Sequence, residues 1–160
     1  MTVEAVTKST LFSKPRDNII SIINGSIKDP LTNSKNSTRK WIYSFEPDTK
    51  GRSFKGYPYM VVEYPSNEEN DKTFVGLKDN INTMTITVVV LKENSSQGSS
   101  LMNELYEAFN NQTNQDNLQD NGLMDNLTIT TDRPREVIDN EQSTVQQTMT
   151  IEHDIDLVVE

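Results

Sequence analysis

From Thr144 to Val159 the chain alternates without a break. Val145, Gln147, Met149, Ile151, His153, Ile155, Leu157 and Val159 fall on one side. Thr144, Gln146, Thr148, Thr150, Glu152, Asp154 and Asp156 fall on the other. Side chains alternate between faces in an extended strand, whereas a helix brings them round about every 3.6 residues. The pattern therefore predicts a strand with one buried face. At about 3.3 Å per residue it spans roughly 50 Å if unbroken. That is more than a small domain needs, so the pattern also predicts that one end of the C-terminal hairpin projects.

A second strand is equally legible over 81–92. Met84, Ile86, Val88 and Val90 share one face; Thr85, Thr87, Val89 and Leu91 share the other, which turns apolar towards its C-terminal end. Apolar residues on both faces predict a strand covered on both sides. Shorter aromatic and β-branched runs, Lys40–Phe45 and Pro58–Tyr64, are each closed by a proline and read as strands. Leu127–Thr130 begins another, which Asp132-Arg133-Pro134-Arg135 interrupts and Glu136–Ile138 continues.

Two segments have helical spacing. Ile19, Ile20, Ile22 and Ile23 follow Pro15, a residue suited to the first turn, and precede Asn24-Gly25, which reads as a C-terminal stop. Leu101, Leu105 and Phe109 stand four residues apart, with Met102 and Tyr106 alongside, and predict an amphipathic helix over 100–110. Residues 1–13 read as a flexible arm, 66–79 as a polar loop, and 110–126 as another, with room for a short turn at Leu118. The order α-β-β-β-α-β-β predicts one α+β domain over 1–160, with two helices flanking a mostly antiparallel sheet.

Composition narrows the function. Fifteen basic residues against 24 acidic ones leave a net charge of −9 over 160 residues. Phosphate binding needs a basic surface, so specific DNA or RNA recognition is disfavoured, as is an anionic membrane. There is no cysteine, which excludes thiolate nucleophiles, disulfides and Cys-ligated metals. The start, Met1–Val6, lacks the basic and apolar regions of a signal peptide, and no apolar run approaches a membrane span. The expectation is a protein made in the cytoplasm.

No chemistry-bearing constellation stands out. His153 is the sole histidine. It lies on the apolar parity without a nucleophile or further ligands beside it, and reads as structural. Glu68, Glu69 and Asp71 lack the register and glycine of a calcium loop. Gly51–Gly56 is not a phosphate loop, and no nucleophile elbow is present. The expectation is no catalytic residue, no cofactor and no metal. Trp41, Tyr43, Tyr57, Tyr59 and Tyr64 read as packing residues, since stacking on nucleotides needs interleaved basic residues.

The whole layout resembles the tail terminator (tail completion) proteins of long-tailed bacteriophages and related viruses. The resemblance rests on length, acidic polar composition and element order: the helix over Pro15–Gly25, Trp41–Phe45, Tyr59–Tyr64, Met84–Leu91, Ser99–Phe109, and the hairpin of Leu127–Thr131 with Thr144–Val159. It implies a virion protein forming a ring, usually of six copies, on the head-proximal end of the tail tube. Such a ring ends tube polymerisation and joins tail to head. The implied partners are further copies, the tail-tube protein and a head-completion or connector protein, with DNA passing through unbound and no membrane involved. Another neck component, or a monomeric protein-binding module, is the alternative. On this reading Glu152, Asp154 and Asp156 are expected to face the lumen, with Glu68-Glu69-Asp71 as second choice. Arg133, Arg135, Met149 and Ile151 are expected at the subunit interface.

Overall fold

The computed structural model describes residues 2–71, 78–122, 124–139 and 142–155. Three helices, α1 (Lys14–Ser26), α2 (Ser95–Asn110) and α3 (Gln112–Asp120), accompany seven strands: β1 (Ile42–Tyr43), β2 (Tyr59–Val62), β3 (Ser66–Asp71), β4 (Lys78–Leu91), β5 (Met124–Thr131), β6 (Arg135–Asp139) and β7 (Gln142–Ile155). The fold is α+β. The strands form one sheet, ordered β1-β2-β4-β7-β5, with β3 also paired to β4 and β6 to β7. Every pairing is antiparallel except β1 with β2.

The two long strands are the spine. β4 and β7 are each 14 residues, and Asn80–Leu91 pairs in register with Ile155–Thr144. β2 and β3 lie end to end along the free side of β4; β5 and β6 lie end to end along the free side of β7. The expectation of a projecting hairpin is corrected here. The great length of β7 is matched by an equally long β4, so Thr144–Ile155 is paired within its own chain. Asp156, Leu157 and Val159 lie outside the described residues.

One face of the sheet carries the helices. Met84, Ile86, Val88 and Val90 of β4 and Met149, Ile151 and Ile155 of β7 share one core with Ile19, Ile22 and Ile23 of α1 and Leu101, Leu105 and Phe109 of α2. Each such side chain contributes roughly 1.5–3 kcal/mol by leaving water. Gly98 lets α2 approach closely, because a Cβ there would stand 3.0 Å from Val90 Cγ2. This packing agrees with the spacing of Leu101, Leu105 and Phe109.

Four local readings are revised. Ser66–Asp71 is a strand rather than loop; it pairs through backbone bonds along β4, and its polar sequence carries no apolar alternation to announce it. Phe74-Val75 and Leu77 lie outside the described residues. Residues 112–120 form α3 rather than loop, capped by the Asn111 side chain, which accepts from Asn114 N–H at 3.2 Å, and anchored by the single buried residue Leu118. One apolar residue cannot display a period. The first residues are tied down: Val6 is fully buried, and Asn18 exchanges hydrogen bonds with the Glu4 backbone at 2.8 and 2.9 Å. Finally, α1 runs through Gly25 to Ser26, and among the described residues the left-handed positions are Asn33, Asn36, Asn126 and Gly56.

Candidate functional site

The sheet face away from the helices is only partly covered. At one end, Tyr43, Tyr59, Val61 and Val89 form a second small core, with Phe54 and Tyr57 packed against it. The rings stack edge-on: Phe54 lies 5.5 Å from Tyr59 at 90°, and Tyr43 lies 5.7 Å from Tyr59 at 84°. Tyr59 donates its hydroxyl to the Glu46 carboxylate. Burial, and then that carboxylate, push the phenol well above its usual range. The apolar turn of β4 at Val89 thus has its cover on the second face.

A clamp holds this cover in place. Asp29 is fully buried and accepts from Arg39 Nε at 2.7 Å and Arg39 Nη2 at 2.6 Å. Arg39 also donates to the carbonyls of Gly56 at 3.0 Å and Pro58 at 2.9 Å. Burial alone would raise the Asp29 pKa. The hydrogen bonds from Arg39, Ser37 and the Leu31 N–H outweigh it and hold the carboxyl below the usual range. Neither residue stands out in the sequence, because the contact joins two polar loop positions ten residues apart.

The rest of this face is open and laid out in rows. Glu63, Thr85, Thr150 and Thr130 make one row, with the Thr85 hydroxyl donating to Glu63 at 2.5 Å. Ser66, Thr83, Glu152 and Thr128 make the next. Ile81, Asp154 and Asp125 make a third, beside which Asn126 donates to Asp154 at 2.7 Å. Above them the Thr87 and Thr148 hydroxyls stand 3.1 Å apart. Among the described residues these rows hold hydroxyls, an apolar Ile81 and carboxylates, and contain no lysine or arginine. Arg135 shares the face parity but lies at the other end, opposite Gln146.

The expected lumen residues divide accordingly. Glu152 is exposed and Asp154 half-buried, both on the open face, while Asp156 lies outside the described residues. Glu68, Glu69 and Asp71 sit on the edge strand β3. The expected interface residues separate more sharply. Arg133 and Arg135 are exposed, but Met149 and Ile151 are fully buried in the chain's own core. Their parity points at the helices, so they offer nothing to a neighbour.

His153 faces the helix side, pairs across the sheet with Asn82, and is 1% exposed. Burial lowers its pKa to about 4, against the weaker opposing pull of Asp154, so the ring is neutral at physiological pH. Nδ1 is 3.2 Å from the Asp154 carbonyl. Among the described residues no group of three or more His, Asp or Glu is placed to hold a metal ion, and no helix is long and apolar enough to cross a membrane. A groove of about 490 Å³ between the N-terminal segment, α1 and α3 is lined by Thr2, Ser21, Ser26, Asn114, Asn117 and Asn121. These groups hydrogen-bond but do not exchange protons near neutral pH.

No family model matches the chain, and no curated protein matches it. Among solved structures the chain is similar to one described as "Virion of native gene transfer agent (GTA) particle", at 10% identity and a TM-score of 0.48, over 87% of this chain and 93% of that one. Likeness at that level carries no argument about function.

Proposed function

We propose that this chain is a structural component of a phage-type virion, and within it a tail terminator. Copies of the chain form a ring, of six subunits, at the head-proximal end of the tail tube. The ring ends tube growth and receives a head-completion or connector protein. The resemblance in element order supports this reading, and the observation that carries it is the open face: rows of hydroxyls and carboxylates around Thr85, Thr150, Glu152 and Asp154, with no basic side chain among the described residues of those rows. DNA crossing a tube end must slide without binding, and each lysine or arginine on the wall adds a phosphate contact to break. Glu152, Asp154 and Asp156 are the proposed lumen strip, and Arg133 and Arg135 the proposed subunit contacts. On this reading the chain performs no reaction and holds no cofactor.

The test is a reconstruction of the virion together with the variant Glu152→Lys/Asp154→Lys. The expected result is a ring at the tail end with the open face inward, and slowed DNA ejection in the variant. A single copy at the neck, a ring whose open face turns outward, or ejection at the normal rate overturns the reading.

A further inference from the structure

Three polar atoms on the helix side of the sheet take no part in the surface proposed above. Asn82 is fully buried and His153 is 1% exposed. Asn82 Nδ2, Asn82 Oδ1 and His153 Nε2 meet no hydrogen-bond partner among the described residues. Buried polar side-chain atoms are paired in the large majority of cases, so orphans on two adjoining residues ask for a ligand.

The fold brings these atoms together. Asn82 and His153 are direct partners across β4 and β7. Cβ atoms of such a pair stand about 4.5–5.5 Å apart. The described neighbours on the same face give no help. Met84 on β4, and Ile151 and Ile155 on either side of His153, are apolar and at most 5% exposed.

The chemistry of the three atoms selects the occupant. His153 Nδ1 lies 3.2 Å from the Asp154 carbonyl. A carbonyl only accepts, so Nδ1 carries the proton and Nε2 of the neutral ring is a bare lone pair. Asn82 adds a second acceptor, Oδ1, and a donor, Nδ2. A direct bond from Nδ2 to Nε2 would still leave Oδ1 orphaned. A metal ion would face the Nδ2 donor with no cluster of carboxylates to balance its charge. Water offers two O–H donors and a lone pair, the complement of two acceptors and one donor. Buried waters commonly make about three hydrogen bonds to groups otherwise unsatisfied.

We propose that Asn82 and His153 hold one buried water molecule. It donates to His153 Nε2 and Asn82 Oδ1 and accepts from Asn82 Nδ2. The site also keys the sheet. A slip of two residues sets Asn82 against Ile151 or Ile155 and scatters the polar atoms through an apolar core. The site belongs to the fold of one chain and stands independently of the virion reading.

The test is a high-resolution crystal structure of the full-length protein and of Asn82→Leu/His153→Leu, which substitutes apolar side chains for both partners. Nitrogen-15 spectra of the parent accompany it, and their ring signals are unambiguous because His153 is the sole histidine. Expected in the parent are an oxygen peak at hydrogen-bond distance, about 2.7–3.2 Å, from all three atoms, and an unprotonated Nε2. Expected in the variant is loss of that peak. No density between the two side chains, a direct Nδ2–Nε2 contact, anomalous scattering from a metal, or a protonated Nε2 overturns the proposal, as does an unchanged peak in the variant. If the variant does not fold, the two parent measurements decide.

Discussion

The two faces of the sheet are built from the same strands and obey opposite rules. On the helix face, successive positions such as Met84, Ile86, Val88, Met149 and Ile151 are all at most 1% exposed. On the open face their immediate neighbours Thr85, Thr87, Thr148 and Thr150 are half-buried, and Glu152 is exposed. The first face is a packing surface, sensitive to volume. The second is a chemical surface, held together by backbone pairing and threonine contacts and free to vary in what it presents. The packing that stabilises the fold and the surface proposed above for function therefore sit on opposite sides of one layer, one residue apart in sequence.

The division is tested most severely at the end where the open face is covered. Arg39→Ala removes the partner of a fully buried carboxylate and releases the Gly56 and Pro58 carbonyls. It is expected to cost about 3–5 kcal/mol, as breaking a buried pair does, and to raise the exposure of Phe54 and Tyr57. Denaturant unfolding and tyrosine fluorescence read both effects. Loss of stability without a fluorescence change would separate the clamp from the aromatic cover.

On the helix face, Leu105→Ala is expected to cost roughly 2–5 kcal/mol, the range for emptying a fully buried leucine site. Thr150→Ala, on the open face of the same sheet, is expected to stay within about 0.5 kcal/mol. Comparable losses from the two would dissolve the distinction between the faces.

His153 probes the helix face by pH. Its folded pKa, about 4, lies below the ordinary 6.5. The unfolded chain therefore takes up the proton first, and stability falls as pH drops from about 6.5 towards 4. The total is on the order of 3 kcal/mol. Asp29 acts lower. Its folded pKa is depressed below 3.8, so its contribution is present above that value and is lost only as pH falls further. His153→Leu is expected to flatten the limb between pH 6.5 and 4 and leave the more acidic limb in place. An unchanged slope between pH 6.5 and 4 would place the titration elsewhere.

The smallest effect is expected at Glu152→Lys/Asp154→Lys. Surface substitutions usually shift stability by no more than about 0.5 kcal/mol, so the thermal midpoint should stay near that of the parent while DNA ejection slows. A large destabilisation would show that the Asn126–Asp154 hydrogen bond is structural and remove the open face from consideration as a free surface.

Much of the frame was legible because it is written locally. Period two marked β4 and β7, and period 3.6 marked α1 and α2. Asp132-Arg133-Pro134-Arg135 was read as the break between β5 and β6; the break covers 132–134, and Arg135 already belongs to β6. β3 and α3 escaped because their polar residues leave no period to detect. The candidate site was legible only as parity. Glu152 and Asp154 could be placed together, and Arg133 and Arg135 recognised as a basic spot. Met149 and Ile151 were assigned to a neighbour for want of knowledge that α2 packs on β7 and closes the core over them.

What the sequence by itself determined is which residues share a face. Alternation and helical spacing arise from bond geometry within one segment. The rest was decided by the tertiary structure. Pairing β4 to β7 joins Leu91 to Thr144 and Asn80 to Ile155 across a long stretch of chain. That pairing matches two 14-residue strands and keeps the long hairpin within its own chain. It also determines that the odd parity of β7 meets helices while the even parity stays open. Such choices depend on which distant surfaces bury the most apolar area together, and no local pattern encodes that.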